Sequence, residues 1–117
     1  MCNFLKIKIK NGVKFILPSN ILFIEASNKH SLIYCIDFNK IEAKHPLKWF
    51  ELQLDEPCFF RIHNSFIINC HYLQSIHDHR VKLLGDKFVP ISRYKRKPFE
   101  ENLDKYYNKI EKLSITP

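Results

Sequence analysis

A chain of 117 residues that is 45% hydrophobic and 14% aromatic can bury one core of ordinary size, which predicts a single globular domain over 1–117 and excludes intrinsic disorder. Nineteen Lys and Arg against twelve Asp and Glu leave a formal charge of +7, a balance that favours polyanionic partners. With only two glycines a glycine-rich phosphate cradle is excluded, and no paired-carboxylate site or nucleophile with a neighbouring base stands out, so the chain reads as a non-enzyme.

The segment Phe4-Leu5-Lys6-Ile7-Lys8-Ile9-Lys10 alternates with the period of two that marks a half-buried strand. Asn11-Gly12 is a strong hairpin signal and predicts a turn there, with Val13 to Leu17 returning before Pro18 and Ser19 end the strand. Runs rich in Ile, Phe and Tyr over Ile21 to Glu25, Leu32 to Asp37 and Lys40 to Ala43 read as a meander. Leu47, Phe50, Leu52 and Leu54, with Pro46 at their start, predict a short helix near 46–54.

Further strands are expected at Phe59 to Ile62, Phe66 to Ile68, Leu73 to Ile76 and Val81 to Leu84, and Gly85-Asp86 turns the chain into Phe88 to Ile91. Beyond Ser92, apolar residues at Phe99, Leu103, Tyr106, Tyr107, Ile110 and Leu113 recur every three or four positions, a stripe that predicts a C-terminal helix over about 95–113. Pro98 fits only in its first turn. The expected fold is mostly β, short strands in several small antiparallel sheets with two helices.

Two segments carry chemistry. His63-Asn64-Ser65 sets three hydrogen-bonding side chains between apolar strands; an Asn amide can pair with adenine in two bonds and Ser can take a phosphate oxygen, although the same residues also make ordinary turns. Arg93, Lys95, Arg96 and Lys97 put four cations into five residues where strand meets helix. Cations there oppose the helix dipole, which an anionic partner would offset, and Arg can bond guanine O6 and N7 together, with a solvated helix start as the alternative. Asn28-Lys29-His30-Ser31 forms a third polar loop, with a plain turn as the alternative.

His71, His77 and His79 are too weak a pattern to call for metal, and Cys2, Cys35, Cys58 and Cys70 contain no C-x-x-C pair. No metal or cofactor is expected. Cysteine usage, the lack of a signal-type N-terminus and the lack of an apolar run of about 18 residues suit a reduced, cytoplasmic protein with no membrane insertion.

With these residues in view, the chain resembles the LytTR DNA-binding family, the output domain of bacterial response regulators. Phe59-Phe60-Arg61-Ile62-His63-Asn64-Ser65-Phe66-Ile67-Ile68-Asn69 is similar to its F-x-R-x-H-x-S-y-x-V-N core, Pro90-Ile91-Ser92-Arg93 to its P-V-S-R element, and Ile24-Glu25-Ala26 with the following loop to its I-E-A segment. The resemblance spans roughly residues 5 to 105.

It implies sequence-specific binding of double-stranded DNA by loops that enter the major groove, with His30, Asn64 and Arg93 on bases. Lys29, Ser65, Ser92, Lys95 and Arg96 would hold the backbone. A second copy on an adjacent half-site and a regulatory protein are the further partners implied. A receiver domain would need about 100 residues of its own, so the chain is expected to be either a free-standing regulator or a fragment of one. The competing readings are an RNA-binding module that stacks bases on aromatics such as Tyr94, and a basic module that docks an acidic protein.

Overall fold

The computed structural model describes residues 3–114, with side chains through residue 109. Cys2 and the side chains of Ile110 and Leu113 therefore lie outside the described residues. Among the described residues ten strands form three antiparallel sheets.

Strands β1 (Leu5–Ile9) and β2 (Gly12–Ile16) make a two-stranded hairpin. The central sheet has five strands: β3 (Ile21–Ser27), β4 (His30–Cys35), β5 (Lys40–Ala43), β6 (Phe59–His63) and β7 (Phe66–Asn69), in the order β5-β4-β3-β7-β6. β8 (Leu73–Ile76), β9 (Arg80–Leu83) and β10 (Lys87–Pro90) form the third sheet. Helix α1 (Leu47–Gln53) links β5 to β6, and α2 (Arg96–Ser114) ends the chain.

The expected fold class is therefore what the chain adopts, with one correction at the first turn. Lys10 and Asn11 make it, and Gly12 already pairs with Ile9 in the ladder. Asn11 supplies the left-handed residue itself, at φ 64°, because an Asn side chain tolerates that region by bonding locally. At the other tight turn Gly85 and Asp86 take φ 77° and 57°, the backbone that favours glycine. Phe38 closes over Gly85, leaving no room for a Cβ there.

The central sheet is covered on both faces. One core gathers Leu22, Phe60, Ile62 and Ile68 against Val81, Leu83 and Val89 of the third sheet and Phe99, Leu103 and Tyr106 of α2. The other gathers Ile21, Ile24, Ile33, Phe59 and Ile67 against Ile7 and Ile16 of the hairpin and Leu47 and Phe50 of α1. A strand buried on both faces cannot alternate, which is why Ile21 to Ile24 is a continuous apolar run. A register shift between Ile21 and Phe23 turns Leu22 and Phe23 into the same core.

Two residues of the predicted apolar stripes face water: Leu52 on α1 is 70% exposed and Tyr107 on α2 is 52% exposed. The residues that dock α2 are Phe99, Leu103 and Tyr106. Phe99 is wholly buried with its ring centroid 5.6 Å from that of Phe60. Phe99→Ala is expected to lower the unfolding free energy by about 3–5 kcal/mol, read from urea denaturation. A loss below about 1 kcal/mol would mean that the site collapses around the deletion or that α2 contributes little there.

Candidate nucleic-acid interface

Three loops meet at one end of the central sheet. Ser27 and His30 are the last paired residues of β3 and β4, so Asn28 and Lys29 form the turn. Asn28 holds φ 57° and is the residue that makes the turn possible, while Lys29 is exposed and His30 half-buried. Ser31, next along β4, is fully buried and its hydroxyl donates to the His45 carbonyl at 2.8 Å.

The second loop is the β6–β7 turn, Asn64-Ser65. The Ala26 N–H donates to the Ser65 carbonyl at 2.8 Å, which sets this turn one strand from β3. His63 does not point a vacant ring outward: its Nδ1 accepts the Ser65 N–H at 3.0 Å, and its ring meets Phe66 edge-on at 5.7 Å. Arg61 donates from Nη2 to the Asn64 carbonyl at 2.7 Å and pairs through Nη1 with Glu51 at 3.1 Å. The backbone of the turn is thus fastened from both sides, and the Asn64 side chain stands exposed on it.

The third loop leaves β10. Ser92 N–H donates to the Ile62 carbonyl at 3.0 Å and Ile91 N–H to the His79 carbonyl at 2.8 Å. Arg93–Lys95 then form a 3-10 turn before α2 begins at Arg96. With neighbouring strands about 4.8 Å apart, the three loops follow one another along the sheet end within roughly 20 Å.

Arg93 is exposed, and a cleft of about 500 Å³ beside it is lined by Asp78, His79, Ile91, Ser92 and Arg96. Arg96 is already engaged: Nε donates to Glu100 at 2.9 Å, and Nη1 to the carbonyls of His77 and Asp78 at 2.8 and 3.1 Å. Among the described residues Lys29, Arg93 and Lys95 enter no ion pair.

Thus His30, Asn64 and Arg93 come to one end, with Lys29, Ser65, Ser92 and Lys95 beside them. Of the residues that build the loops, Arg61 stands in the F-x-R-x-H motif, whereas Glu51, His45 and the carbonyls of the β8–β9 turn carry no sequence signal.

The LytTr DNA-binding domain family matches residues 11–104. This chain belongs to that family. It is 46% identical over 74 residues to accessory gene regulator protein A of Staphylococcus epidermidis and 41% identical over 73 residues to that of Staphylococcus aureus; each match covers 60% of this chain and 30% of the relative. The LytTr DNA-binding domain of a putative methyl-accepting/DNA response regulator from Bacillus cereus superimposes with a TM-score of 0.72 at 23% identity. That likeness of fold covers 86% of this chain and 95% of that one.

A LytTr domain is a DNA-binding module, and the thiols suit a structural role. Burial above all pushes the Cys70 thiol up to about 12, with the neighbouring Cys58 and Glu56 adding to it. Burial also raises Cys35 and Cys58. These three thiols stay protonated at neutral pH. Among the described residues no helix is long and apolar enough to cross a membrane.

His45 ties this LytTr domain's hairpin to its sheet. Its Nε2 accepts the Lys8 N–H at 3.0 Å and its ring stacks on Trp49 at 3.7 Å. An imidazole that accepts at Nε2 has to be neutral. Burial first, then the charges of Lys8 and His30, holds it below its ordinary 6.5.

The unfolded chain therefore protonates His45 at a higher pH than the folded one. Its contribution to stability is complete above about 6.5 and is lost as pH falls through the depressed folded value. Acidification from roughly pH 7.5 to 5.5 should lower the urea midpoint, and less so in His45→Gln. Equal falls in the two proteins would assign the effect to other groups.

Proposed function

We propose that this LytTr domain binds a specific double-stranded DNA sequence as part of a bacterial transcription regulator, reading base edges in the major groove with His30, Asn64 and Arg93. The observation that supports this most is the gathering of three exposed polar loops at one end of a rigid sheet, each with its backbone already hydrogen-bonded within the protein. Asn64 has the two-sided amide that adenine N6 and N7 require, and Arg93 the fork that guanine O6 and N7 require. A loop with its turn closed can present one side chain without ordering costs elsewhere.

Lys29, Ser65, Ser92 and Lys95 supply charge and hydroxyls for phosphates, which fix register without reading sequence. Arg96 keeps only its Nη2 hydrogens for a phosphate, since Nε and Nη1 serve Glu100 and the β8–β9 turn. Two copies on repeats spaced by about one helical turn, 10–10.5 base pairs, suit a compact domain whose reading end is narrow. The relatives this domain matches are about three times its aligned length, which agrees with a regulatory protein partner or domain acting on it in the cytoplasm.

Selection of bound duplexes from a random library at a fixed moderate salt concentration should return one motif and its repeat spacing. On that motif Arg93→Ala is expected to cost about 1–3 kcal/mol and relax one base position, whereas Lys95→Ala weakens all sequences alike. Identical behaviour of the two variants on specific and random duplexes would remove Arg93 from base readout. Displacement of the duplex by an equal concentration of single-stranded RNA would overturn the DNA reading itself.

A further inference from the structure

The β1–β2 hairpin carries the chain's first cluster of cations, Lys6, Lys8, Lys10 and Lys14, and nothing in the three-loop site uses it. Its placement is set at Lys8. The Lys8 carbonyl accepts the Lys44 N–H at 2.8 Å, and the Lys8 N–H donates to His45 at 3.0 Å. Lys44 follows Ala43, the last residue of β5, which pairs with Ser31. Lys8 is therefore level with His30 at the reading end of the sheet.

The direction of β1 follows from its other end. Phe4 lines a groove with Leu17, Cys35, Asp37 and Ile41, at the opposite end of β4 and β5. The strand accordingly runs toward the reading end, and at about 3.3 Å per residue Lys10 lies roughly 7 Å beyond Lys8, level with or past the Asn28-Lys29 turn.

Lys8 and Lys10 alternate with the buried Ile7 and half-buried Ile9, so both side chains are on the exposed face. Among the described residues neither enters an ion pair, and Lys44 beside them is paired with Glu42 at 3.7 Å. Lys44 continues β5, the edge strand beside β4, whereas the Arg93 loop is bonded to β6 at the other edge. The Lys8–Lys44 bond therefore sets the hairpin tip on the flank of the His30 loop, away from Arg93.

We infer that the tip of the β1–β2 hairpin is a fourth contact to duplex DNA, in which Lys8 and Lys10 neutralise phosphates flanking the groove that the His30 loop enters. The inference rests on the DNA-binding reading and adds a contact that carries no base information. Exposed lysines on a clamped backbone provide point charges at fixed positions, and each phosphate they neutralise releases condensed counterions.

The test compares two double variants. Lys8→Ala/Lys10→Ala removes the tip charges and keeps the backbone bonds to Lys44 and His45; Lys40→Ala/Lys87→Ala removes the same charge from the far end, where Lys40 opens β5 and Lys87 lies over the Phe38 ring of the β4–β5 turn. Binding is measured against salt on a random-sequence duplex about 30 base pairs long, roughly three helical turns. The tip variant should show a slope of log K against log salt shallower by about two, near 0.9 for each lost phosphate, and the far-end variant an unchanged slope.

On the selected motif, hydroxyl-radical protection should be lost at the outer edge of the footprint on the His30 side and kept elsewhere. Equal slope changes in both variants, or an unaltered footprint edge in the tip variant, would overturn the fourth contact while leaving the three-loop reading intact. Failure of the parent protein to bind either duplex in a salt-dependent way would instead overturn the reading on which it rests.

Discussion

Strand β3 pairs with β4 on one side and β7 on the other, and the position of every candidate reading loop depends on that double pairing. Leu22 and Ile24 are completely buried on opposite faces. A slip of one residue would exchange the two cores, so burial fixes the register. Once it is fixed, Ser27 meets His30 and Ala26 meets Ser65, and both turns are carried to the same level. The third loop joins them through the hydrogen bond from Ser92 to the carbonyl of Ile62 on the edge strand β6.

Period-two patterning in Leu5, Ile7 and Ile9 and the stripe Phe99, Leu103, Tyr106 were legible because each element buries one face only. At β3 the pattern disappears, since both faces are covered and a bulge aims Leu22 and Phe23 the same way. The helix near 46–54 could be located but not oriented: Leu52 fits the apolar stripe and is nonetheless in water, because α1 makes only two turns and its packing face is taken by Leu47 and Phe50. The first turn shows the same limit. Asn-Gly announces a turn but not which residue will take the left-handed backbone, and here Asn11 does so one position early.

Within the candidate site, the family motif located the residues and the structure divided their labour. Arg61 and His63 belong to the motif yet spend their hydrogen bonds on the turn that carries Asn64. Residue type alone could not separate them from readers, because the same donors and acceptors serve either purpose. The distinction is made by Glu51, eight residues before the strand begins, which holds the Arg61 guanidinium from α1.

The cations at the start of α2 show how a charge that opposes a helix dipole is accommodated. Arg96 sits on the first helical residue, where a positive charge is unfavourable by some 0.3–1 kcal/mol. Its bonds to Glu100 one turn on and to two carbonyls of the β8–β9 turn offset that cost within the protein. Arg93 and Lys95 avoid it differently, by lying in the 3-10 turn before the helix. An anion is thus not needed to explain Arg96. Arg93, exposed, and Lys95, half-buried, have no such internal compensation, and a charge held at a fixed backbone position without a protein partner is the arrangement that a phosphate or a base edge can use at least entropic cost.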